Sequence, residues 1–529
     1  MVFEIKARDL LGRVGVLNTR RGKIKTPYMF PVISPTRQVI SPRDMREKFK
    51  LPAIITNSYL IRKRYDEKAV EIGVHKLLDF DGIIMTDSGA YQILVYGDID
   101  ITPEDIIYYQ EKINSDIAVI LDYPSGAAKN KEQAEKAVEI TLERAKQFFD
   151  MKNESTDILW VGPVQGSPYP DLVRFSAKEM SQFDFDIFAV GSQTILMEQY
   201  DFATLVDIFM NAKMYLPPDR PIHLFGAGHP IMFSLAVAMG ADLFDSAAYA
   251  LYAKDDRYIT PDGTIRVSDL REQICACPVC LKYTPDEIKN LPKGERERVL
   301  AEHNLYVSVQ EINRIRQAIY EGRLWEYIQI RLRAHPRLLN GLKRLKKYMR
   351  FIEKFDPVSK PKAMFYSGPE DAYRPEIIRY RKHIIDYVPL YKYKIALVMD
   401  ERDANEKASK RFEEIAKKIK SDEKFREIHF LFLSSIFGII PAEISHIYPL
   451  LQYEAPDFVD YEVNKNAVNI AVKYLVTHAD AYKEIWICQL KKDPSRILRY
   501  ILRKIKKIEA IKQKIKFFKS INEITEILQ

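Results

Sequence analysis

The sequence predicts an α/β protein built on a (β/α)8 barrel, and three observations carry that expectation. Eight short β-rich runs lie between residues 27 and 248, most of them near-continuously apolar, the pattern of parallel strands covered on both faces. Most contain or end in Gly, Pro, Ser, Asp or Asn, and helical patterns separate several of them. The alternation extends over about 250 residues, the usual length of such a barrel. An open doubly wound sheet is the runner-up, but no G-x-G-x-x-G follows the first run to support a dinucleotide site.

In order, the runs are 28–34, 53–59, 82–89, 117–124, 158–166, 186–193, 222–228 and 243–248. Helical patterns fall at 103–115, 131–149, 171–183, 202–216 and 232–239. The first of these is well marked, because Thr102-Pro103-Glu104-Asp105 supplies a cap, a first-turn proline and early acids. Farther on, 394–401, 427–434 and 484–490 read as strands, with helical patterns at 404–419 and 464–476. These make a smaller α/β accessory domain. The Pro-, Lys- and Tyr-rich stretch 357–379 reads as linker. The expected divisions are a catalytic barrel at 1–270, a metal-binding and basic helical region at 271–350, and the accessory domain at 351–529.

Composition narrows the class. With 529 residues, 47% hydrophobic and 29% charged, the chain is neither disordered nor collagen-like. The N-terminus alternates charged and apolar residues, so it does not read as a secretory signal. The most apolar later run, 430–441, is about a dozen residues, short of the roughly 20 needed to span a bilayer; it reads as core. Three of the four cysteines sit within six residues, which suits a metal and a reducing compartment. A cytoplasmic protein with no membrane partner is expected. The net charge of +8 is uneven: 331–350 holds eight Lys/Arg and no acid, and 491–519 twelve against two. Such clusters can neutralise phosphates. In the second, Ile497, Ile501, Ile505 and Ile508 also mark an amphipathic helix.

Barrel enzymes place their chemistry at the C-terminal ends of the strands. There stand Asn57 and Ser58, Asp87 and Ser88, Asp122, Gln165, Gly191 with Ser192 and Gln193, Gly226, and Asp245. Any one aspartate alone reads as a helix cap. Three aspartates and Gln165 converging on one mouth point to a polar heterocycle or sugar. Two carboxylates with divided roles suit glycosidic chemistry, one attacking the anomeric carbon and one moving the leaving group's proton. Cys275, Cys277 and Cys280 form a compact knuckle, with His303 following inside a helical pattern. Three thiolates and one imidazole make a closed tetrahedral zinc site, which is structural because no position stays open to water. Cys488, in an apolar run, reads as a buried small hydrophobe.

These residues resemble the tRNA-guanine transglycosylases, most closely their archaeal, archaeosine-forming branch. The resemblance rests on MTDSGAYQ (85–92), ILDYP (120–124), VQG (164–166), AVGSQ (189–193), LFDSAAYALYA (243–253) and CACPVC (275–280) with His303, over about residues 10–340. It implies base exchange in tRNA by double displacement, guanine 15 of the D-arm giving way to 7-cyano-7-deazaguanine (preQ0). By this likeness Asp245 matches the nucleophile and Asp87 the general acid/base. Ser88, Asp122, Gln165, Gly191, Ser192 and Gln193 match the base-recognition groups, and Tyr91 stacks on the base. The segment VGSQTILME, the residues beyond the barrel and the stretch 433–454 favour the archaeal branch.

The resemblance further implies one structural Zn2+ per chain, with tRNA, guanine and 7-cyano-7-deazaguanine as ligands, and a homodimer formed around the zinc region. The PUA pattern found at the end of many archaeal relatives is not recognisable. Gripping of tRNA is therefore expected to fall to the two basic stretches or to a separate PUA-type subunit. The rival readings are a paralogue of the same pathway and a non-catalytic tRNA-binding subunit. The intact Asp87 and Asp245 argue against both.

Overall fold

Three antiparallel strands open the chain: β1 (Phe3–Asp9), β2 (Gly12–Thr19) and β3 (Gly22–Lys25). In the computed structural model the described residues are 1–92, 101–153, 155–191, 194–389, 392–400, 427–450, 452–456, 460–489, 495–519 and 521–528. They fall into two compact units, Met1–Asp356 and Pro357–Gln529.

In the first unit eight parallel strands close a barrel. They are β4 (Tyr28–Ile33), β5 (Ala53–Asn57), β6 (Ile83–Asp87), β7 (Ile117–Val119), β8 (Leu159–Val164), β9 (Ile187–Val190), β10 (Ile222–Leu224) and β11 (Leu243–Ser246). Each lies in one of the eight runs read from the sequence, and β11 pairs with β4 to close the ring. The five expected helices appear as Pro103–Lys112, Lys131–Met151, Pro170–Met180, Phe202–Lys213 and Phe233–Met239. Thr102 caps the first as expected, its side chain accepting from the Asp105 N–H.

The N-terminal end of the barrel is pinned by buried ion pairs. Arg13 of β2 donates to Asp242, the residue before β11, and to the carbonyls of Pro218 and Arg220 ahead of β10. Asp116, the residue before β7, accepts from the Ile84 N–H at 2.9 Å, from Arg20 and Arg21, and lies 2.8 Å from His75. These contacts carry stability at the base and leave the opposite mouth for chemistry. The sequence reading does not anticipate the opening sheet, nor the hairpin of β12 (Arg257–Thr260) and β13 (Gly263–Arg266). Both are short and half polar, which hides them among loop patterns.

The second unit holds a five-stranded sheet. Its strands are β15 (Ile395–Met399), β16 (Ile428–Ser434), β17 (Gly438–Pro441), β19 (Glu484–Cys488) and β20 (Ile515–Phe518), in the order β17-β16-β15-β19-β20. Only β17 is antiparallel to its neighbour. Alternate residues serve two cores, Leu397, Phe430 and Trp486 on one face, Val398, Leu431 and Ile487 on the other. Covering both faces explains why these strands read as unbroken apolar runs. The run 430–441 is buried core, and Cys488 is buried with a free thiol. The expected helix at 404–419 lies outside the described residues, whereas 464–476 falls within the helix Tyr461–Thr477.

The linker expected at 357–379 is instead folded. It holds β14 (Met364–Phe365), paired with β18 (Tyr453–Glu454), and the start of the helix Pro375–Ile384. Several of its charges are buried and paired: Glu376 lies 2.8 Å from Lys360 Nζ and 3.0 Å from Arg374 Nη2. A Lys/Pro-rich composition reads as exposed only while its charges lack partners. No helix among the described residues is long and apolar enough to cross a membrane.

Candidate active site and metal centre

The closed barrel brings the strand-end residues to one mouth. Asp87 ends β6, Asp122 and Gln165 follow β7 and β8, Gly191 follows β9, and Asp245 lies within β11. Burial and the charges of Asp122 and Asp245 push the Asp87 carboxyl up to about 7. A carboxyl that keeps its proton near neutrality can act as a general acid. It is held from below: Asn57 Nδ2 donates to Asp87 Oδ2 at 3.1 Å and to Gln92 Oε1 at 2.8 Å, and Ser58 Oγ donates to the Asp87 carbonyl at 2.7 Å.

Asp245 is arranged differently. Its Oδ1 accepts from the Gly226 N–H at 2.9 Å and lies 2.9 Å from His223 Nε2. With Nε2 as the donor, both hydrogen bonds fall on the one oxygen. His223 is completely buried on β10, stacked on Phe30 with ring centroids 5.8 Å apart. Both donors engage Oδ1, and no hydrogen-bond donor among the described residues engages Oδ2. Reading the sequence alone misses His223 because it sits inside an apolar strand run. A lone histidine in a barrel strand, next to a strand that carries an aspartate, is the available signal.

Asp122 and Gln165 form the floor. Gln165 Nε2 donates to Asp122 Oδ2. The amide is fixed in that sense because its Oε1 accepts from the N–H and Oγ of Ser125, each at 3.1 Å. Ser125 Oγ lies 2.9 Å from the Gly166 N–H, tying the loop after β7 to the end of β8. Burial raises the Asp122 carboxyl to about 6, against the pull of the Gln165 hydrogen bond. Any side chain at 191 would collide with Gln165, since a Cβ there would stand 2.5 Å from Nε2; close approach is the reason for glycine. Ser88 is wholly buried and its Oγ makes no hydrogen bond among the described residues, whereas Tyr91 is 55% exposed. Ser192 and Gln193 lie outside the described residues.

The metal-ligand candidates also come together. One ligand atom from each of Cys275, Cys277, Cys280 and His303 lies within 4.8 Å of the others, a cluster able to hold a metal ion. His303 sits on the long helix Lys293–Glu321, and its Nδ1 is 3.4 Å from the sulfurs of both Cys277 and Cys280. Its Nε2 lies 2.8 Å from the Ile259 carbonyl. Donation to that carbonyl leaves Nδ1 free to ligate, the usual outer-shell arrangement of a metal histidine. Tyr258 stacks on the imidazole, centroids 3.6 Å apart, with its hydroxyl 3.1 Å from the Cys280 sulfur.

The basic stretches behave unequally. Arg331 is buried and paired with Glu311 and Asp262, and Arg344 and Lys347 pair with Asp207. In the second unit the helix Arg496–Ile505 buries Ile497, Leu498, Ile501 and Ile505 and exposes Arg499, Arg503 and Lys504.

Comparison with known proteins places the chain in a family. Residues 9–337 match the family model described as queuine tRNA-ribosyltransferase. A protein named tRNA-guanine(15) transglycosylase from Methanocaldococcus jannaschii is 46% identical over 487 residues, covering 90% of this chain and 72% of that protein. The one so named from Methanobrevibacter smithii is 42% identical over 523 residues, covering 96% and 78%. A third, from Methanococcus maripaludis, is 43% identical over 475 residues, covering 88% and 71%. The chain belongs to the queuine tRNA-ribosyltransferase family, the tRNA-guanine transglycosylases.

Proposed function

We propose that this protein is a tRNA-guanine(15) transglycosylase, exchanging guanine 15 in the D-arm of tRNA for 7-cyano-7-deazaguanine. The observation that carries the reading is the unequal treatment of two carboxylates at one mouth. Asp87 is pushed up to about 7, while Asp245 is fixed by donors on one oxygen. One is suited to deliver a proton and the other to attack.

In the proposed reaction Asp245 Oδ2 bonds to C1′ of the target nucleoside as the glycosidic bond breaks. The departing base takes the bond's electron pair and receives the Asp87 proton. The incoming deazaguanine gives its proton back to Asp87 and attacks C1′, releasing Asp245. Two inversions retain the stereochemistry. Asp122 accepts the N–H donors of the guanine edge, and Gln165 and the backbone at Gly191 read its other groups. Tyr91 stacks on the ring.

The reading extends to one Zn2+ held by Cys275, Cys277, Cys280 and His303. All four positions are then filled by protein, so the ion supplies local stability rather than chemistry. On the same reading the protein works in the cytoplasm as a homodimer, with a PUA-type subunit as a separate source of tRNA grip.

The test is incorporation of radiolabelled guanine into an archaeal tRNA transcript beside one with guanine 15 replaced. Incorporation that disappears with the replacement supports the assignment. Asp245→Asn should yield no covalent protein–tRNA adduct, and an adduct in normal yield would move the nucleophile elsewhere. A wild-type chain that retains tRNA yet never exchanges guanine would favour the non-catalytic binding subunit.

A further inference from the structure

At the end of the barrel opposite the mouth, Arg8, Arg13 and Lys213 line a cavity of about 100 Å3, together with Leu11, Phe351 and Phe355 among its apolar walls. The charges are not balanced. Arg13 pairs directly with Asp242, whose charge also acts at longer range on Arg8 and Lys213, but neither Arg8 nor Lys213 has a direct ion pair or hydrogen bond to any group among the described residues. Lys213 is only 8% exposed, and a cation so placed is costly without an anionic partner. Burial beside Arg13 pushes its ammonium down to about 7.

The surrounding residues hold Lys213 there. It is the last residue of the helix Phe202–Lys213, and its stem runs against Gly240, where a Cβ would meet Lys213 Cε at 2.8 Å. Gly240 also has φ +100°, a conformation that favours glycine. Arg8 is held from the other side over the Phe355 ring, 5.6 Å from its centroid. The space is well below the roughly 300 Å3 at which pockets for drug-sized ligands begin. Three basic side chains around one carboxylate, Asp242, in so small a volume match one compact oxyanion, whose charge would in turn hold the proton on Lys213.

We propose that this cavity is an anion site that takes a single tetrahedral oxyanion of the phosphate type between the Lys213 ammonium and the Arg8 guanidinium. The oxyanion has two chemical sources, free phosphate or a phosphate group of a polynucleotide.

The experiment uses the full chain. Thermal unfolding is followed in sodium sulfate, sodium phosphate and sodium chloride at matched ionic strength, for wild type, Lys213→Met and Arg8→Gln. The expected result is a saturable rise in melting temperature with sulfate and phosphate over chloride. Lys213→Met should lose that rise while melting no lower than wild type in chloride, because it removes an unpartnered buried charge. Arg8→Gln should weaken the apparent anion affinity by about tenfold, one charge-assisted contact. A sulfate response equal in wild type and both variants overturns the proposal, since general salt exclusion acts without a site.

A second arm measures tRNA affinity against salt. A slope smaller by about one in Lys213→Met, with the sulfate response abolished, identifies a polynucleotide phosphate. An unchanged slope with the sulfate response abolished identifies free anion. Both readouts unchanged reject the site. None depends on guanine exchange, so the outcome is separable from the catalytic assignment.

Discussion

Asp87 and Asp245 are chemically identical side chains on strands of one barrel, and their surroundings treat them differently. Burial and two like charges hold the proton on Asp87 up to about 7. Asp122 is raised to about 6, and in the proposed reaction it must ionise to accept the guanine donors. We expect kcat/KM for guanine exchange to rise through about pH 6 and fall through about pH 7, as coupled apparent values. Asp122→Asn should abolish the ascending limb, and an unaltered profile would remove Asp122 from that role. The same shift bears on stability. The folded value of Asp87 lies above its unfolded one, so its ionisation costs stability progressively from about pH 4 to about pH 7. Asp87→Asn should therefore be neutral near pH 4 and stabilising by on the order of 1–3 kcal/mol above pH 7, as denaturant unfolding at the two pH values would show. His223 acts through Asp245. His223→Ala should lower kcat about 10- to 100-fold with little change in KM for tRNA, by analogy with the loss of an outer-shell partner. His223→Gln, which keeps a donor, should recover part of the loss; equal loss in both would indicate simple core damage.

At the level of the element, the metal knuckle and the helix Lys293–Glu321 are one structural unit because His303 and the cysteines share it. Cys277→Ser should lower bound metal and melting temperature together, measured by elemental analysis and thermal unfolding of the same sample. A metal-free wild type of full stability would overturn the structural role. At the barrel base, Arg13→Ala would remove the direct partner of Asp242 but leave it the Ile222 N–H and the field of Lys213 and Arg8, so it should cost about 1–3 kcal/mol, measured by denaturant unfolding. The helix Arg496–Ile505 divides cleanly into a buried isoleucine–leucine face and an exposed basic one. Neutralising Lys504, Lys506 and Lys507 together should reduce tRNA affinity and flatten its salt dependence by about one unit for each phosphate that the helix no longer neutralises. A salt-independent wild-type affinity would make this face merely solvated. Arg331 carries no such expectation, because its partners Glu311 and Asp262 already satisfy it.

For the molecule as a whole, the eight strands, most of the helices between them and the carboxylates at their ends are legible in the sequence. Parallel strands covered on both sides must be apolar throughout, and the junction after each strand is where polar residues can begin. The accessory sheet is legible for the same reason in β15, β16 and β19. The edge strands β17 and β20, the opening sheet and the folded stretch after residue 357 are not, being short or carried by charges whose partners come together only in the fold. The order of residues alone specifies the barrel, the aspartates, the cysteine knuckle and the family likeness, because periodicity, residue type and local spacing are properties of chain neighbours. It takes the folded arrangement to establish that the Asp87 carboxyl is pushed up to about 7, that His223 holds Asp245, that Arg331 is internal and that Lys213 is buried with no direct ion pair among the described residues. Each of these depends on which groups from distant segments meet in a low-dielectric interior.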